Sequence, residues 1–113
     1  MTELDIARVL HEILRAHNIA YGDTSLPPWG KAPDWQRESS LASVRFHIAN
    51  PDAPASATHE DWMAQKHADG WVLGDIKDAK AKTHPCLIPF SDLTPVEKAK
   101  DYLASATVRA LST

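Results

Sequence analysis

Apolar side chains recur at helical spacing near the start of the chain. They are Ile6, Val9, Leu10, Ile13 and Leu14. Positions three, four, seven and eight residues apart share one face of an α-helix, so the pattern predicts an amphipathic helix over residues 3–19. Gly22 and the Pro27-Pro28 pair then predict an irregular loop, because glycine and proline interrupt helices.

A second helix is predicted over residues 35–49, with Asp34 as its N-cap. The apolar positions of its inner face are Leu41, Val44 and Ile48. Pro51 predicts its end, because a proline disfavours helical backbone at the residue before it. Residues 51–57 are rich in proline, alanine and serine and predict a connector.

A third helix is predicted over residues 58–69, because Thr58 and Asp61 have the spacing of a capping box. Gly70 suits the position just after its end. Two short apolar pieces follow, at residues 71–73 and 86–88, and a charged turn separates them. They predict a small antiparallel β ribbon.

A fourth helix is predicted from Pro95 to about residue 111, because Thr94 is a good cap and Glu97 completes a capping box. Its predicted inward positions are Val96, Ala99, Leu103, Ala106 and Ala110. The expected fold is therefore mainly α. It has four helices and a small antiparallel β ribbon between the third and the fourth.

Composition narrows the classes of partner. The chain has 113 residues with 43% hydrophobic content, which predicts a single domain over residues 1–113. Its formal net charge of -3 argues against DNA or RNA as a partner, since phosphate neutralisation requires a basic surface. No apolar run approaches the roughly 20 residues of a membrane span, so no membrane partner is expected.

The single cysteine, Cys86, cannot form an internal disulfide, which favours a reducing, cytoplasmic location. The acidic N-terminus, with Glu3 and Asp5, is unlike a signal peptide. Cys86 is expected to be a buried structural thiol, because Pro85 and Leu87 flank it.

The most distinctive segment is HEDWMAQKHADGWVLGDIKDAKAKTHPCLIPF, residues 59–90. It resembles the ryanodine receptor repeat, or RyR domain, as a stand-alone prokaryotic or phage member. The matching positions are His59, Glu60, Trp62, Lys66, Gly70, Trp71, Gly74, Asp78, His84, Pro85, Cys86, Leu87 and Phe90. Similar features elsewhere are Pro27-Pro28-Trp29, the helix start at residues 35–39 and Lys100-Asp101, so the resemblance covers residues 4–111. Leu73 stands where the family usually has tyrosine.

The resemblance implies a four-helix RyR-type fold and no enzymatic activity. In animals, paired modules resemble an adenine-nucleotide and drug-like-ligand site in which matching tryptophans clamp the base. For a single module, that arrangement implies a homodimer that contributes two copies of Trp62. The implied function is binding of an adenine-containing or NAD-derived nucleotide signal, as a sensor or a sponge.

Residue types along the third helix suggest the same kind of ligand. His59, Trp62 and Lys66 share one helical face. A tryptophan offers a flat surface to a base, and a lysine one turn away is able to meet a phosphate. The alternative is that Trp62 belongs to the core and Lys66 extends along it.

Several further side chains have two interpretations each. Trp71 is either a core anchor or a ligand contact, and Trp29 and Trp35 either hold their loop to the body or line a groove. Arg45 either pairs with Glu38 or Asp61 or binds a ligand phosphate. Lys82, in a charged turn with Lys77 and Lys80, belongs either to a solvated loop or to an anion-binding rim that includes His84.

Catalytic and cofactor motifs are missing from the sequence. It has no HExxH motif and no Cys/His set, so no metal site is predicted. Its four glycines form no phosphate loop or dinucleotide fingerprint, so no cofactor is predicted. The alternative function is a protein–protein docking module with structural tryptophans and no small ligand.

Overall fold

A computed structural model describes residues 1–112. Its four α-helices are α1 (Glu3–Ala20), α2 (Asp34–Ala49), α3 (Ala55–Ala68) and α4 (Pro95–Leu111). Two short strands lie between α3 and α4: β1 (Val72–Leu73) and β2 (Thr83–His84). Single 3-10 turns at Trp29–Lys31 and Phe90–Asp92 precede α2 and α4. The predicted mainly α fold with four helices is confirmed.

Capping boxes start the first and the last helix. In α4, the Thr94 side chain accepts from the Glu97 amide, and the Glu97 carboxylate accepts from the Thr94 amide at 3.2 Å, as predicted. In α1, Thr2 and Asp5 form the same reciprocal pair at 3.1 Å in each direction. Each box satisfies amides that the helix itself leaves without acceptors, so both starts are well defined.

The second helix starts one residue earlier than predicted. Pro33 occupies the N-cap position, and Asp34 is the first helical residue, so the prediction of Asp34 as the cap was wrong. An acidic side chain in the first turn still complements the helix dipole. Arg37 then donates to the carbonyls of Trp29 and Gly30, each at 3.1 Å, and so holds the preceding loop to this helix.

The third helix begins at Ala55, three residues before the predicted start. Pro54 occupies its N-cap position in extended backbone. The alanine-rich residues that follow favour helix, so they extend it backwards from the predicted cap. The Thr58 hydroxyl is not a cap, because it lies 3.1 Å from His47 Nε2 in a buried contact with α2.

The ribbon is parallel, so the prediction of an antiparallel ribbon was wrong. Val72 pairs with Thr83 and Leu73 with His84, whereas the predicted second piece at residues 86–88 forms no strand. The reason lies in the turn, where Asp78 and Thr83 exchange both backbone hydrogen bonds in an antiparallel bridge. The segment at Asp78 thus runs opposite to β2, so the chain reverses twice between β1 and β2 and the two strands run in the same direction.

The core lies where α1, α2 and α4 meet, and α3 packs on α4 and α2. Its buried apolar residues are Ile6, Ala7, Leu10, Val44, Ala104 and Val108. On α2, His47 is 2% exposed and Ile48 is 41% exposed, whereas the sequence predicted Ile48 on the inner face of this helix. Among residues 1–112, no helix has the length and apolar character that crossing a bilayer requires.

The fourth helix is rotated relative to its predicted face. Ala106 and Ala110 are exposed, and the buried positions are Ala104, Ser105 and Val108. This rotation turns the polar residues Glu97, Lys100 and Asp101 towards a cavity inside the domain.

Candidate ligand-binding cavity

A cavity of about 210 Å³, partly open to solvent, lies between the helices and the ribbon. All four helices and β2 contribute to its wall, with Leu10, Trp35, Lys66, His84 and Asp101 as one example from each. Its volume is below the roughly 300–1,000 Å³ of a typical drug-sized pocket. It therefore suits a compact ligand, or one part of a longer ligand.

Lys66 is the most unusual residue in this wall. The residue is 7% exposed, and its ammonium lies 4.8 Å from the Trp35 ring centroid and 4.7 Å from that of Trp71. Within the described residues 1–112, its ammonium has no hydrogen-bond acceptor and no ion-pair partner. Desolvation by burial lowers the pKa of Lys66. A buried ammonium that meets only aromatic faces is suited to receive an anion from the cavity.

His84 adds a hydrogen-bond donor to the same wall. Its Nδ1 accepts from the Cys86 amide at 3.0 Å, so the neutral ring carries its proton on Nε2. Desolvation, followed by the charges of Lys77, Lys100 and Lys66, lowers the pKa of His84 to about 4. The ring is therefore neutral at pH 7, and its Nε2 is a donor.

Four aromatic rings connect the Lys66 region to the other end of the cavity. We call Trp71, His84, Trp62 and His59 the aromatic row. Consecutive ring centroids lie 6.4, 4.9 and 5.5 Å apart, and the His59 ring stacks on Trp62 at 26°. All four residues line the cavity, so the row offers a flat ligand several ring faces and edges.

Asp101 lies at the end of the aromatic row opposite Lys66. His59 Nε2 donates to the Ile88 carbonyl at 2.7 Å, so His59 Nδ1 faces Asp101 Oδ2 at 3.7 Å. Burial raises the pKa of Asp101 to about 7, against a lowering by the charge of Lys100. This carboxyl therefore loses its proton near neutral pH.

Two further lysines reach the cavity from different elements. Lys77 comes from the exposed turn between β1 and β2, and Lys100 comes from α4. Although Lys77 is exposed as a residue, desolvation of its ammonium and the charge of Lys100 lower its pKa, while Asp23 raises it. The side chain therefore borders the cavity while the residue remains exposed to solvent.

The α2 side of the cavity is polar. Gln36, Ser39, Ser40 and Ser43 line it. Ser40 donates to the Ala7 carbonyl at 2.7 Å, whereas the buried Gln36 Oε1 has no hydrogen-bond partner in the part of the chain that the structure describes. An unpaired buried amide oxygen is a free acceptor for a ligand or a water.

Cys86 is held as an unreactive thiol. Its Sγ donates to the Glu97 carboxylate. Burial, that hydrogen bond and the charge of Glu97 raise the pKa of Cys86 to about 12. Because the thiolate is the reactive form, this environment suits a structural role.

Five of the eight site residues proposed from the sequence lie together in this cavity: His59, Trp62, Lys66, Trp71 and His84. The other three do not line it. Arg45 pairs with Glu3 at 3.3 Å, not with Glu38 or Asp61, and Lys82 donates to the Asp69 carbonyl at 2.7 Å. Trp29 packs against the core, with its ring 5.5 Å from that of His11.

Sequence reasoning missed several residues that line the cavity. Trp35 was assigned to a groove, and Lys77 to an anion-binding rim, only as alternatives to a structural role. Lys100 and Asp101 were not placed on the inner face of α4, because the alanines of this helix predicted a different inner face from the observed one. The signal that could have found them is the place of Lys100-Asp101 in the family resemblance.

Comparison with known families adds an independent observation. The RyR domain model matches residues 46–112 of the 113-residue chain, which is more than half of it. The chain belongs to the RyR domain family. The matched region of this RyR domain contains Lys66, the whole aromatic row and Asp101. Trp35 and the α2 serines lie before the matched region.

Metal coordination finds no support in this geometry. Across residues 1–112, no group of three or more His, Cys, Asp and Glu side chains is arranged to hold a metal ion. The groups that line the cavity include cations and a neutral N–H donor, which suit anions, and aromatic surfaces, which suit a planar group.

Proposed function

We propose that this RyR domain is a non-catalytic binding module for a small anionic ligand of the nucleotide type, held between aromatic and basic side chains. The observation that carries the proposal is the buried residue Lys66, whose ammonium lies beside Trp35 and Trp71 without an acceptor. Burying an unpaired cation opposes folding. A cavity that keeps such a cation is best explained by an anion that occupies it.

The aromatic row supports a planar group beside that anion. Base stacking on an aromatic ring is worth about 1–3 kcal/mol, and Trp62 and Trp71 both line the cavity. Adenine-containing or NAD-derived nucleotide signals combine a base with phosphate and therefore match both features. Trp62 also fits the homodimer expected from the paired animal modules, in which a second copy completes the clamp.

The biological role that we propose is that of a cytoplasmic sensor or sponge in a stand-alone prokaryotic or phage protein. A sensor changes its partners when it binds a nucleotide signal, whereas a sponge only sequesters the signal. The single cysteine, held as an unreactive thiol, suits a reducing compartment.

Calorimetric titration tests the proposal. ATP, ADP-ribose, cyclic ADP-ribose and cyclic dinucleotides are titrated into the wild-type protein and into Lys66→Met. We expect at least one of them to bind the wild type and to lose tenfold or more in affinity to Lys66→Met. Arg45→Met is the matched control, because Arg45 is exposed and lies outside the cavity.

Two results would count against this function. Folded wild-type protein that binds none of these compounds contradicts it, and so does equal binding by the wild type and Lys66→Met. Native mass spectrometry of the purified protein adds a check on subunit number and on any retained ligand. A dimer that disappears on Trp62→Ala supports the two-copy clamp.

A second candidate is a protein-docking module, and one observation favours it. Val72, Leu73 and Ile76 on the ribbon and its turn are 55%, 58% and 74% exposed. Adjacent exposed apolar side chains often mark interaction surfaces. Loss of a captured protein partner on Ile76→Ser, together with no heat from any nucleotide, favours docking over ligand binding.

A further inference from the structure

Three lysines from three different elements line one cavity. Lys66 comes from α3, Lys77 from the turn between β1 and β2, and Lys100 from α4. Their charges all act on a fourth lining residue, His84, whose pKa each of them lowers. They also act on each other, because Lys77 lowers the pKa of Lys66 and Lys100 lowers that of Lys77. The fold therefore brings three positive charges together around one ring.

No nearby carboxylate pairs directly with this cluster. Throughout residues 1–112, none of the three ammonium groups forms a hydrogen bond or an ion pair with a carboxylate. Glu97 is ionised but its oxygens accept from Thr94 and Cys86, and Asp101, whose burial raises its pKa to about 7, is charged only above that pH. Asp23 and Asp69 influence Lys77 and Lys66 only at longer range.

The geometry of Lys66 shows that the cluster is more than a solvated surface. Its ammonium lies beside two indole rings in a residue that is 7% exposed, and Lys66 lines the cavity. The centroid of the Trp71 ring lies 6.4 Å from that of His84, whose Nε2 is a donor. Like charges around one cavity repel one another until an anion enters.

We propose that Lys66, Lys77 and Lys100, with His84 between them, form a subsite for a polyphosphate group, so that the ligand carries several adjacent negative charges. This inference rests on the proposed function and narrows its ligand class. A monophosphate satisfies one or two of the three cations, whereas a pyrophosphate or triphosphate chain extends to all of them. Lysine, as a compact point charge on a flexible stem, suits phosphate oxygens.

The cavity volume agrees with a chain of phosphates that enters from its open side. A volume of about 210 Å³ is small for a whole nucleotide, so part of the ligand extends beyond the enclosed space. Lys77 lies in the exposed turn and is the lysine placed to meet the outer phosphate.

The test compares AMP, ADP, ATP and inorganic tripolyphosphate by calorimetry at fixed ionic strength. We expect affinity to rise at least tenfold from AMP to ADP and to rise again for ATP, with tripolyphosphate also binding. Lys77→Met is expected to weaken ATP about tenfold and AMP less than twofold. Lys80→Met is the matched control, since it removes a lysine from the same turn but outside the cavity.

The outcomes separate this inference from the proposed function. If AMP binds as tightly as ATP, the polyphosphate subsite is wrong and the nucleotide-binding function stands. If tripolyphosphate binds while no nucleotide does, the subsite stands and the nucleotide proposal is wrong. If nothing binds, or if Lys80→Met weakens ATP as much as Lys77→Met does, the subsite is overturned. Citrate serves as an anion of similar charge, and equal binding of citrate and tripolyphosphate would contradict the phosphate class.

Discussion

The ammonium group of Lys66 lies 4.7 Å from the centroid of the Trp71 ring, inside the domain. A cation–π contact of this kind contributes about 0.5–2 kcal/mol. Removing an ammonium from water costs several kcal/mol even after relaxation. The cost exceeds the gain, in agreement with a Lys66 pKa that desolvation lowers. The domain thus gives up stability to keep this charge beside the cavity.

Replacing Lys66 by methionine is therefore expected to stabilise the ligand-free protein at pH 7. Methionine retains an unbranched side chain of similar length between the two rings and removes the charge. We expect a gain of about 1 kcal/mol, which raises Tm by roughly 4 °C in a domain of this size. Burial lowers the pKa of Lys66 in the folded state below 10.5, its value in the unfolded chain. The destabilisation by the buried charge is therefore complete below the folded pKa and disappears as the pH approaches 10.5. Thermal denaturation of Lys66→Met and Lys80→Met measures the effect, and a lower Tm for Lys66→Met alone would contradict it.

Asp101 gives a pH-dependent prediction of the same kind. Burial raises its pKa to about 7 from an unfolded value of 3.8, so the folded state binds the extra proton between these pH values. The free energy of unfolding therefore falls as the pH rises through this window, and the loss persists above it. We expect Asp101→Asn to be about 2–4 kcal/mol more stable than wild type at pH 8 and nearly equal to it at pH 4.

Urea denaturation at these two pH values measures the difference for Asp101→Asn. Asp92→Asn is the control, because Asp92 is exposed and lies outside the cavity. A constant difference between Asp101→Asn and wild type at both pH values would show that Asp101 does not titrate in this window.

Cys86 is expected to resist thiol reagents in the folded protein. With its pKa raised to about 12 by burial and by Glu97, the thiolate fraction at pH 8 is roughly a thousandfold below that of an ordinary cysteine. Labelling with an aromatic disulfide reagent should therefore be at least a hundredfold slower in buffer than in denaturing urea. Similar rates in the two conditions would mean that the contact with Glu97 does not persist in solution.

Gly74 is required by the close approach of the two strands. A Cβ at this position would lie 2.7 Å from Thr83 Cβ and 2.9 Å from Thr83 Cγ2, so the strands would have to separate. We expect Gly74→Ala to cost about 1–3 kcal/mol of unfolding free energy. Gly30→Ala is the matched control, because an added Cβ there meets nothing within 4 Å. Equal stabilities of the two variants in urea denaturation would contradict the parallel pairing.

The elements that the sequence predicted well are those with purely local signals. The Thr94–Glu97 box starts α4 where expected, and apolar spacing places α1 within one residue. Local signals were misleading where a side chain had a tertiary use. Thr58 contacts His47 instead of capping α3, and the Asp78–Thr83 bridge makes the ribbon parallel.

The candidate site divides in the same way. His59, Trp62 and Lys66 were recognisable because three- and four-residue spacing places them on one helical face. Lys77 was assigned to an anion-binding rim only as an alternative, and Lys100 was not proposed as a site residue, since their place beside Lys66 depends on how a turn and another helix pack against α3. An alanine is tolerated on either the buried or the exposed face of a helix. The alanine-rich sequence of α4 therefore did not predict which of its faces is buried.

The amino-acid sequence by itself determined the family, the four helices and the residue types available for binding, because helix periodicity, caps and motif spacing are local properties. The tertiary structure alone decided that Lys66 is enclosed by Trp35 and Trp71, that three lysines converge on His84, and that Asp101 faces inward. The physical reason is that burial and electrostatic coupling arise between segments distant in sequence. Neither is defined until the helices pack.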